Sequence, residues 1–210
     1  GLSLICEVKR ASPSKGTIAE EFPYLEIAEE YRDAGADAIS VLTEPHYFRG
    51  RDEYLEEIAD SVDVPVLRKD FVVDEYQIYR AKELGASAVL LIAAVLDDRE
   101  LEGYRELAES LGMDALVEAH TREEAERAVS SGAAIVGINN RDLSTFKVDL
   151  GNSIRLRDAI PDSVVAVSES GISSPEDARM LSDAGYDAVL VGEAFMRSPD
   201  RRALLASMKS

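Results

Sequence analysis

Tryptophan is absent, cysteine occurs once, and lysine supplies only 6 of the 23 basic residues. A single cysteine, Cys6, excludes a disulfide within the chain and leaves a thiolate metal cluster without ligands. In an apolar strand such a residue reads as a small core hydrophobe. There is no run of about 18 apolar residues and no charged-then-apolar leader, so a soluble, cytoplasmic protein is expected. The two histidines, His46 and His120, lack metal-ligand spacing; no metal is expected, and both read as ordinary loop or surface residues. Positive charge is scarce, with 41 acidic residues giving a formal net charge of −18. Such a surface repels nucleic-acid backbones and anionic membranes, so neither is an expected partner. The basic set is 17 Arg and 6 Lys. Acid enrichment with few lysines looks like adaptation to high salt, where screening weakens self-repulsion.

What is present is a regular alternation. Of the 210 residues 46% are hydrophobic, enough for a sizeable core. Short runs rich in Val, Ile, Leu and Ala fall near 2–9, 38–43, 64–70, 88–94, 114–119, 135–139, 164–169 and 188–192. They have few alternating polar positions, the pattern of parallel strands buried on both faces. Amphipathic stretches lie near 24–35, 51–61, 74–85, 97–111, 121–131, 150–159, 174–185 and 198–208. Several open with N-terminal signals, such as Thr121-Arg-Glu-Glu and Ser174-Pro-Glu-Asp, and several end in Gly. A helix stop, a Gly-containing turn and a strand recur in AGADAISVLT, LGASAVLLIA, SGAAIVGINN and AGYDAVLVGE. Eight such units argue for an α/β fold of the (β/α)8 barrel type, eight parallel strands with surrounding helices, in a single domain over residues 1–210. The alternative, a doubly wound open sheet, normally carries a Gly-rich dinucleotide fingerprint after its first strand, and none is present.

In such barrels the C-terminal ends of the strands carry the chemistry. Polar residues gather at those ends: Glu7 and Lys9, Thr43 and Glu44, Lys69 and Asp70, Glu118 and His120, Asn139 and Arg141, Ser168 to Gly171, then Gly192 and Glu193. Glu7 and Lys9 share a strand face, as residues two apart do; they are either a structural ion pair or an acid and a base at a site rim. Lys69 follows four apolar residues in VPVLRKDF, and a buried lysine is rare unless paired. Glu118 in ALVEAH is similar, while Asn139 and Arg141 could equally cap loops. SESGI closes the seventh strand and LVGEAFM the eighth, where barrels of this kind often hold a phosphate on backbone N–H groups. Ser170, Gly171, Gly192 and Glu193 can donate them, with the Glu193 carboxylate turned away.

Seven segments in order, EVKRASPSKG, SVLTEPHYFRG, VPVLRKDFVVDEYQI, ALVEAH, VGINNRDLSTFKVD, VSESGI and LVGEAFM, together resemble indole-3-glycerol phosphate synthase of tryptophan biosynthesis over nearly the whole chain. The family carries an extra N-terminal segment with a helix over the site mouth, which this chain is expected to lack. The resemblance implies a cofactor-independent carboxy-lyase. It acts on a phosphorylated small molecule, 1-(2-carboxyphenylamino)-1-deoxyribulose 5-phosphate, which loses CO2 and water as the ring closes. It implies Lys69 as general acid with Glu118 as partner or base. Lys9 contacts the carboxylate with Glu7 beside it, and Asn139 orients a hydroxyl, with Arg141 and Glu169 supporting. Ser170, also placed with the catalytic set, joins Gly171, Gly192 and Glu193 at the phosphate. Ser12 and Pro13 shape a closing loop, and Phe48, Phe71 and Leu143 wall the aromatic ring. Lysine acidity near neutral pH is expected to come from burial and the neighbouring lysine. The expected assembly is a monomer with at most weak association. Two alternatives remain at this point: a phosphoribosylanthranilate isomerase, whose acid–base pair is a Cys and an Asp, and a non-catalytic phosphate-ligand binder.

Overall fold

A computed structural model describes residues 1–143 and 145–209. Ten strands and nine α-helices are present among them. In chain order the strands are β1 (Ser3–Val8), β2 (Ala11–Ser12), β3 (Gly16–Thr17), β4 (Ala38–Leu42), β5 (Val66–Lys69), β6 (Ala88–Ile92), β7 (Asp114–Ala119), β8 (Ile135–Asn139), β9 (Val165–Glu169) and β10 (Ala188–Val191). Eight of them close into an all-parallel barrel in the order β1-β10-β9-β8-β7-β6-β5-β4. Closure is made by β1, which pairs Cys6 with Val191 of β10 on one side and Glu7 with Ser40 of β4 on the other. The expected (β/α)8 barrel is therefore the fold.

The helices are α1 (Tyr24–Asp33), α2 (Asp52–Ser61), α3 (Glu75–Glu83), α4 (Asp98–Ser110), α5 (Arg122–Ser130), α6 (Gly151–Leu156), α7 (Pro175–Asp183), α8 (Glu193–Arg197) and α9 (Arg201–Lys209). Their starts follow the sequence signals. Asp97 and Glu100 form a reciprocal capping box on α4, as Ser174 and Asp177 do on α7, satisfying backbone N–H groups that the first turn leaves open. Much of the acid excess sits in first turns, for example Glu123 and Glu124 of α5, where the helix dipole favours it. Gly85 and Gly185 take φ of 83° and 92° after α3 and α7, the left-handed turn that redirects the chain into the next strand.

Two cores result. One lies between strands and helices and includes Leu4, Ile39, Leu91, Val117, Ile138 and Val189 on the outward strand faces. The other fills the barrel and consists of Leu67, Leu90, Ile92, Leu116, Val167, Ala188 and Leu190. Fully burying each such side chain is worth about 1.5–3 kcal/mol.

Three local expectations are corrected. The segment read as a plain loop after the first strand carries a small hairpin, with Ala11 paired to Thr17 and Ser12 to Gly16. The stretch 150–159 divides into α6 and a 3-10 turn over Arg157–Ala159. The last helix does not begin at 198. A five-residue α8 comes first, carrying a Glu193–Arg197 pair one turn apart. Pro199 then disfavours helical geometry at Ser198, and Asp200 opens α9 by accepting the Ala203 N–H at 2.9 Å.

Candidate active site

Residues two apart on a strand face the same way, and this period builds the site. One step beyond the apolar interior of the barrel, Leu67 is followed by Lys69, Leu116 by Glu118, Val167 by Glu169 and Leu190 by Gly192. Ile5 likewise precedes Glu7. A charged layer thus rests on an apolar floor, beneath a cavity of about 1170 Å³ at the C-terminal ends of the strands. Every site residue implied by the family resemblance lines it: Glu7, Lys9, Ser12, Pro13, Phe48, Lys69, Phe71, Glu118, Asn139, Arg141, Leu143, Glu169, Ser170, Gly171, Gly192 and Glu193. Thr43, Ser168 and His120 are not among the lining residues.

Lys69 stands at the centre of the charged layer. Its ammonium lies 3.4 Å from Glu118 Oε2 and 3.4 Å from Glu169 Oε2. Burial alone would lower its pKa, but Glu118, Glu169 and Glu7 together hold it well above the ordinary lysine value. This corrects the expectation of a lysine made acidic by burial and a second lysine: its nearest charges are carboxylates. Glu169 moves the other way. Burial, helped by Glu118 and Glu7, outweighs the pull of Lys69 and pushes its pKa up to about 8. Neither Glu169 oxygen has a hydrogen-bond partner among the described residues. Glu7 is also buried, yet Lys9, Lys69 and Arg141 carry its pKa below the usual value. Lys9 Nζ meets Glu7 Oε1 at 2.5 Å. Three buried carboxyls thus stand beside two ammonium groups, with the pKa of Glu7 driven down and that of Glu169 driven up.

Two glycines make room for this layer. A Cβ on Gly192 would strike the Glu7 carboxylate and come within 3.0 Å of Lys9 Nζ. A Cβ on Gly137 in β8 would collide with Glu169 Oε1. Both collisions lie on the inward faces of neighbouring strands.

The rim is built by loops with defined anchors. Glu44 accepts the backbone N–H groups of His46, Tyr47 and Phe48 at 2.8, 2.6 and 3.0 Å, folding the β4–α2 loop around itself. Asp70 accepts Thr43 Oγ1 at 2.7 Å, Arg68 Nη2 at 3.0 Å and its neighbour Phe71 N at 2.8 Å. These anchors bring the Phe48 and Phe71 rings to a centroid distance of 6.3 Å. The hairpin loop reaches across the mouth: Arg141 Nη1 donates to Ser14 Oγ at 3.2 Å, and Lys15 pairs with Glu193 at 3.6 Å. On that side Ser170 adopts φ 67° and Gly171 φ 85°, turning the backbone sharply at the end of β9. A side chain on Gly171 would hit Val148, so close approach as well as φ requires glycine there.

Some contributors were not singled out from sequence. Leu42, Leu90, Ile92 and Leu190 also line the cavity as plain strand residues, with nothing in the chain to separate them from core. Asn140 is buried and donates to Ser168 Oγ and Ser170 O at 3.0 and 3.1 Å while accepting from Ser153. It ties the end of β8 to the Ser170 turn, and Ser168 belongs to this network. The reading of His120 as an ordinary loop residue is corrected: its ring lies between two carboxylates, Glu118 and Glu124. An acidic residue four positions on, in the first turn of the next helix, was the available signal.

An acid–base layer on the closed end of an apolar barrel interior, with loops folded over it, defines a (β/α)8-barrel enzyme. Solved structures agree on the fold. A 3-hexulose-6-phosphate synthase from Salmonella typhimurium superposes with a TM-score of 0.80 at 15% identity, covering 99% of this chain and 96% of its own. A thiamine phosphate pyrophosphorylase from Pyrococcus furiosus gives 0.75 at 20%, covering 99% and 94%. The family is more specific. The indole-3-glycerol phosphate synthase family model matches residues 1–208. The indole-3-glycerol phosphate synthase of Lacticaseibacillus paracasei is 57% identical over 209 residues, which cover 100% of this chain and 80% of that protein. That of Ruminiclostridium cellulolyticum is 53% identical over 208 residues, covering 99% and 80%. The chain belongs to the indole-3-glycerol phosphate synthase family. Its activity is the decarboxylating, dehydrating ring closure that yields indole-3-glycerol phosphate, a carboxy-lyase reaction of tryptophan biosynthesis.

Proposed function

We propose that Lys69 is the general acid of ring closure and that Glu118 is its partner. The observation that carries this assignment is the Lys69 ammonium at the head of the apolar barrel interior, kept charged by Glu118 and Glu169 at 3.4 Å each. A lysine so held arrives loaded with the proton that the ribulose carbonyl oxygen must receive as the ring carbon attacks. Lys9 binds the substrate carboxylate and gives a proton to the departing hydroxyl, with Glu7 poised as base. Full neutralisation of that carboxylate would oppose CO2 loss, and Glu7 at Lys9 tempers the charge.

Asn139 orients a substrate hydroxyl, supported by Arg141, whose backbone N–H it accepts at 3.0 Å. Backbone N–H groups of Ser170, Gly171, Gly192 and Glu193 take the phosphate. The Glu193 carboxylate is held by Arg197 at 3.1 Å and Lys15 at 3.6 Å, which leaves its N–H free of its own charge. Phe48, Phe71 and Leu143 wall the anthranilate ring, while Ser12 and Pro13 shape the closing hairpin. Cys6 is buried and absent from the cavity lining, with its thiol pushed up by burial, so isomerase chemistry of the Cys–Asp kind has no thiol to use.

The same proposal extends to setting: a cytoplasmic monomer working at high ionic strength on a phosphorylated small molecule. The net charge of −18 supports it, and no described helix is long and apolar enough to cross a membrane. Product mass tests the reaction and Lys69 together, using the carboxyphenylamino-deoxyribulose phosphate in molar KCl. The parent is expected to release a product lighter by CO2 and water, and Lys69→Ala to release none. An isobaric product from the parent, or unchanged turnover in the variant, would sink the assignment.

A further inference from the structure

Charge balance sets a requirement that the residues above do not meet alone. In ring closure a C–C bond forms as the carbonyl π pair takes a proton from Lys69. The carboxylate then leaves as neutral CO2, and its bonding pair returns to the aromatic ring. Dehydration gives one proton to the leaving hydroxyl and recovers one from carbon. An anionic carboxylate has thus become neutral CO2, while the carbonyl oxygen has taken up two protons to leave as water and carbon has returned one, so each turnover consumes one proton from solvent. Lys69 is left neutral, with only 15% of its side chain exposed even before substrate covers it.

His120 and Glu124 stand on the far side of Glu118. Glu118 Oε2 faces Lys69, and Oε1 lies 3.4 Å from His120 Nε2, a buried nitrogen with no hydrogen bond among the described residues. His120 Nδ1 lies 3.3 Å from Glu124 Oε2, and that oxygen also accepts the His120 backbone N–H at 2.7 Å. Glu124 stands in the first turn of α5 with 18% of its side chain exposed, against 3% for Glu118. The charged groups on the ring are Glu118 from β7 and Glu124 from α5; α6 contributes the Asn152 amide, which donates to His120 O at 3.1 Å. His120 does not line the cavity, so it acts only through Glu118. A neutral imidazole has one N–H and one lone pair, and here each ring nitrogen faces a carboxylate. Such a ring can take a proton at Nδ1 from Glu124 while releasing one from Nε2 to Glu118.

We propose that His120 is a positioning residue that relays to Glu118, and through it to Lys69, the proton each turnover consumes, with Glu124 as its entry. The proposal rests on the assignment of Lys69 and Glu118 above. It differs from simple orientation of Glu118 by what replaces the ring. Four proteins decide it at saturating substrate: the parent, His120→Ala, His120→Gln and, as reference, Lys69→Met. His120→Ala is expected to lower kcat about 10- to 100-fold, less than the ~10²–10⁴ of a general acid that touches substrate, with KM unchanged. Added imidazole should restore part of that rate and leave the parent unaffected. His120→Gln keeps a donor for Glu118 but cannot relay, and should remain slow. Parent-like turnover in either His120 variant, or no response to imidazole, overturns the relay. Should Lys69→Met retain turnover, the acid assignment fails independently of the His120 results.

Discussion

Leu67 and Lys69 stand two residues apart on one face of one strand, and they meet opposite surroundings. Leu67 belongs to the apolar cluster that fills the barrel's interior. Lys69 meets carboxylates that arrive from β7 and β9. The same step separates Leu116 from Glu118 and Val167 from Glu169. Below the step, side chains contribute burial and little else. Above it, the interior is still buried, but the groups are ionisable, and each one's charge state depends on the others. Close packing of the lower layer fixes where the upper layer stands. The upper layer trades stability for reactivity, as Glu169 shows: it is buried beside Lys69 with its pKa pushed up to about 8.

Substitutions on either side of the step separate the two layers. Beside the loss expected at Lys69 itself, the next largest effect is expected from Glu118→Gln, which keeps shape but removes the carboxylate facing Lys69: kcat should fall about 10²- to 10³-fold in steady-state assays while thermal unfolding stays cooperative. Two residues lower, Leu116→Ala should do the reverse. Denaturant titration should show a loss of about 2–5 kcal/mol, with turnover per folded molecule little changed. Gly192→Ala sharpens the contrast from the neighbouring strand. Its methyl group displaces the Glu7 carboxylate and crowds Lys9, so kcat should fall about tenfold with a smaller change in unfolding midpoint.

The pH dependence of stability offers a subtler probe. The Glu169 pKa in the fold, about 8, lies above its ordinary value of 4.5. The folded state therefore keeps a proton that the unfolded state releases between those values. The contribution of this group is fully present below 4.5 and is lost as pH rises through 8. Glu169→Gln removes that loss, so its unfolding midpoint relative to the parent should climb from pH 5 to pH 8. A flat difference across that window would contradict the raised Glu169 pKa. The smallest effect concerns the surface: raising KCl from about 0.1 M to about 1 M shortens the screening length from ~10 to ~3 Å and should raise the midpoint of this −18 chain.

The barrel was legible because its strands are buried on both faces and its helices stop at recurring glycines. Such patterns depend on neighbours a few residues away. Polar residues at strand ends stood out for the same reason, since an ionisable group after four apolar residues is conspicuous. The charge state of Lys69 was not legible. It depends on Glu7, Glu118 and Glu169, which approach from three other strands and up to 100 positions along the chain. The hairpin over Ala11–Thr17 was hidden because Ser-Pro-Ser-Lys-Gly reads as loop and each of its strands has two residues. Helix α8 was too short to show a period, and the Ser198-Pro199-Asp200 signal belonged to the next helix. Gly137 and Asn140 carried no signal at all: their roles are the space left for Glu169 and the tie to Ser170.

The division of the barrel interior is tested most directly by measuring unfolding free energy and single-turnover rate side by side for Leu67→Ala and Lys69→Met. The account expects Leu67→Ala to lose about 2–5 kcal/mol of stability and keep its rate per folded molecule. It expects Lys69→Met to fold cooperatively and lose at least about 10²-fold in rate. A Lys69→Met protein that turns over at the parent rate, or a Leu67→Ala protein that loses its rate as completely as Lys69→Met, would contradict it.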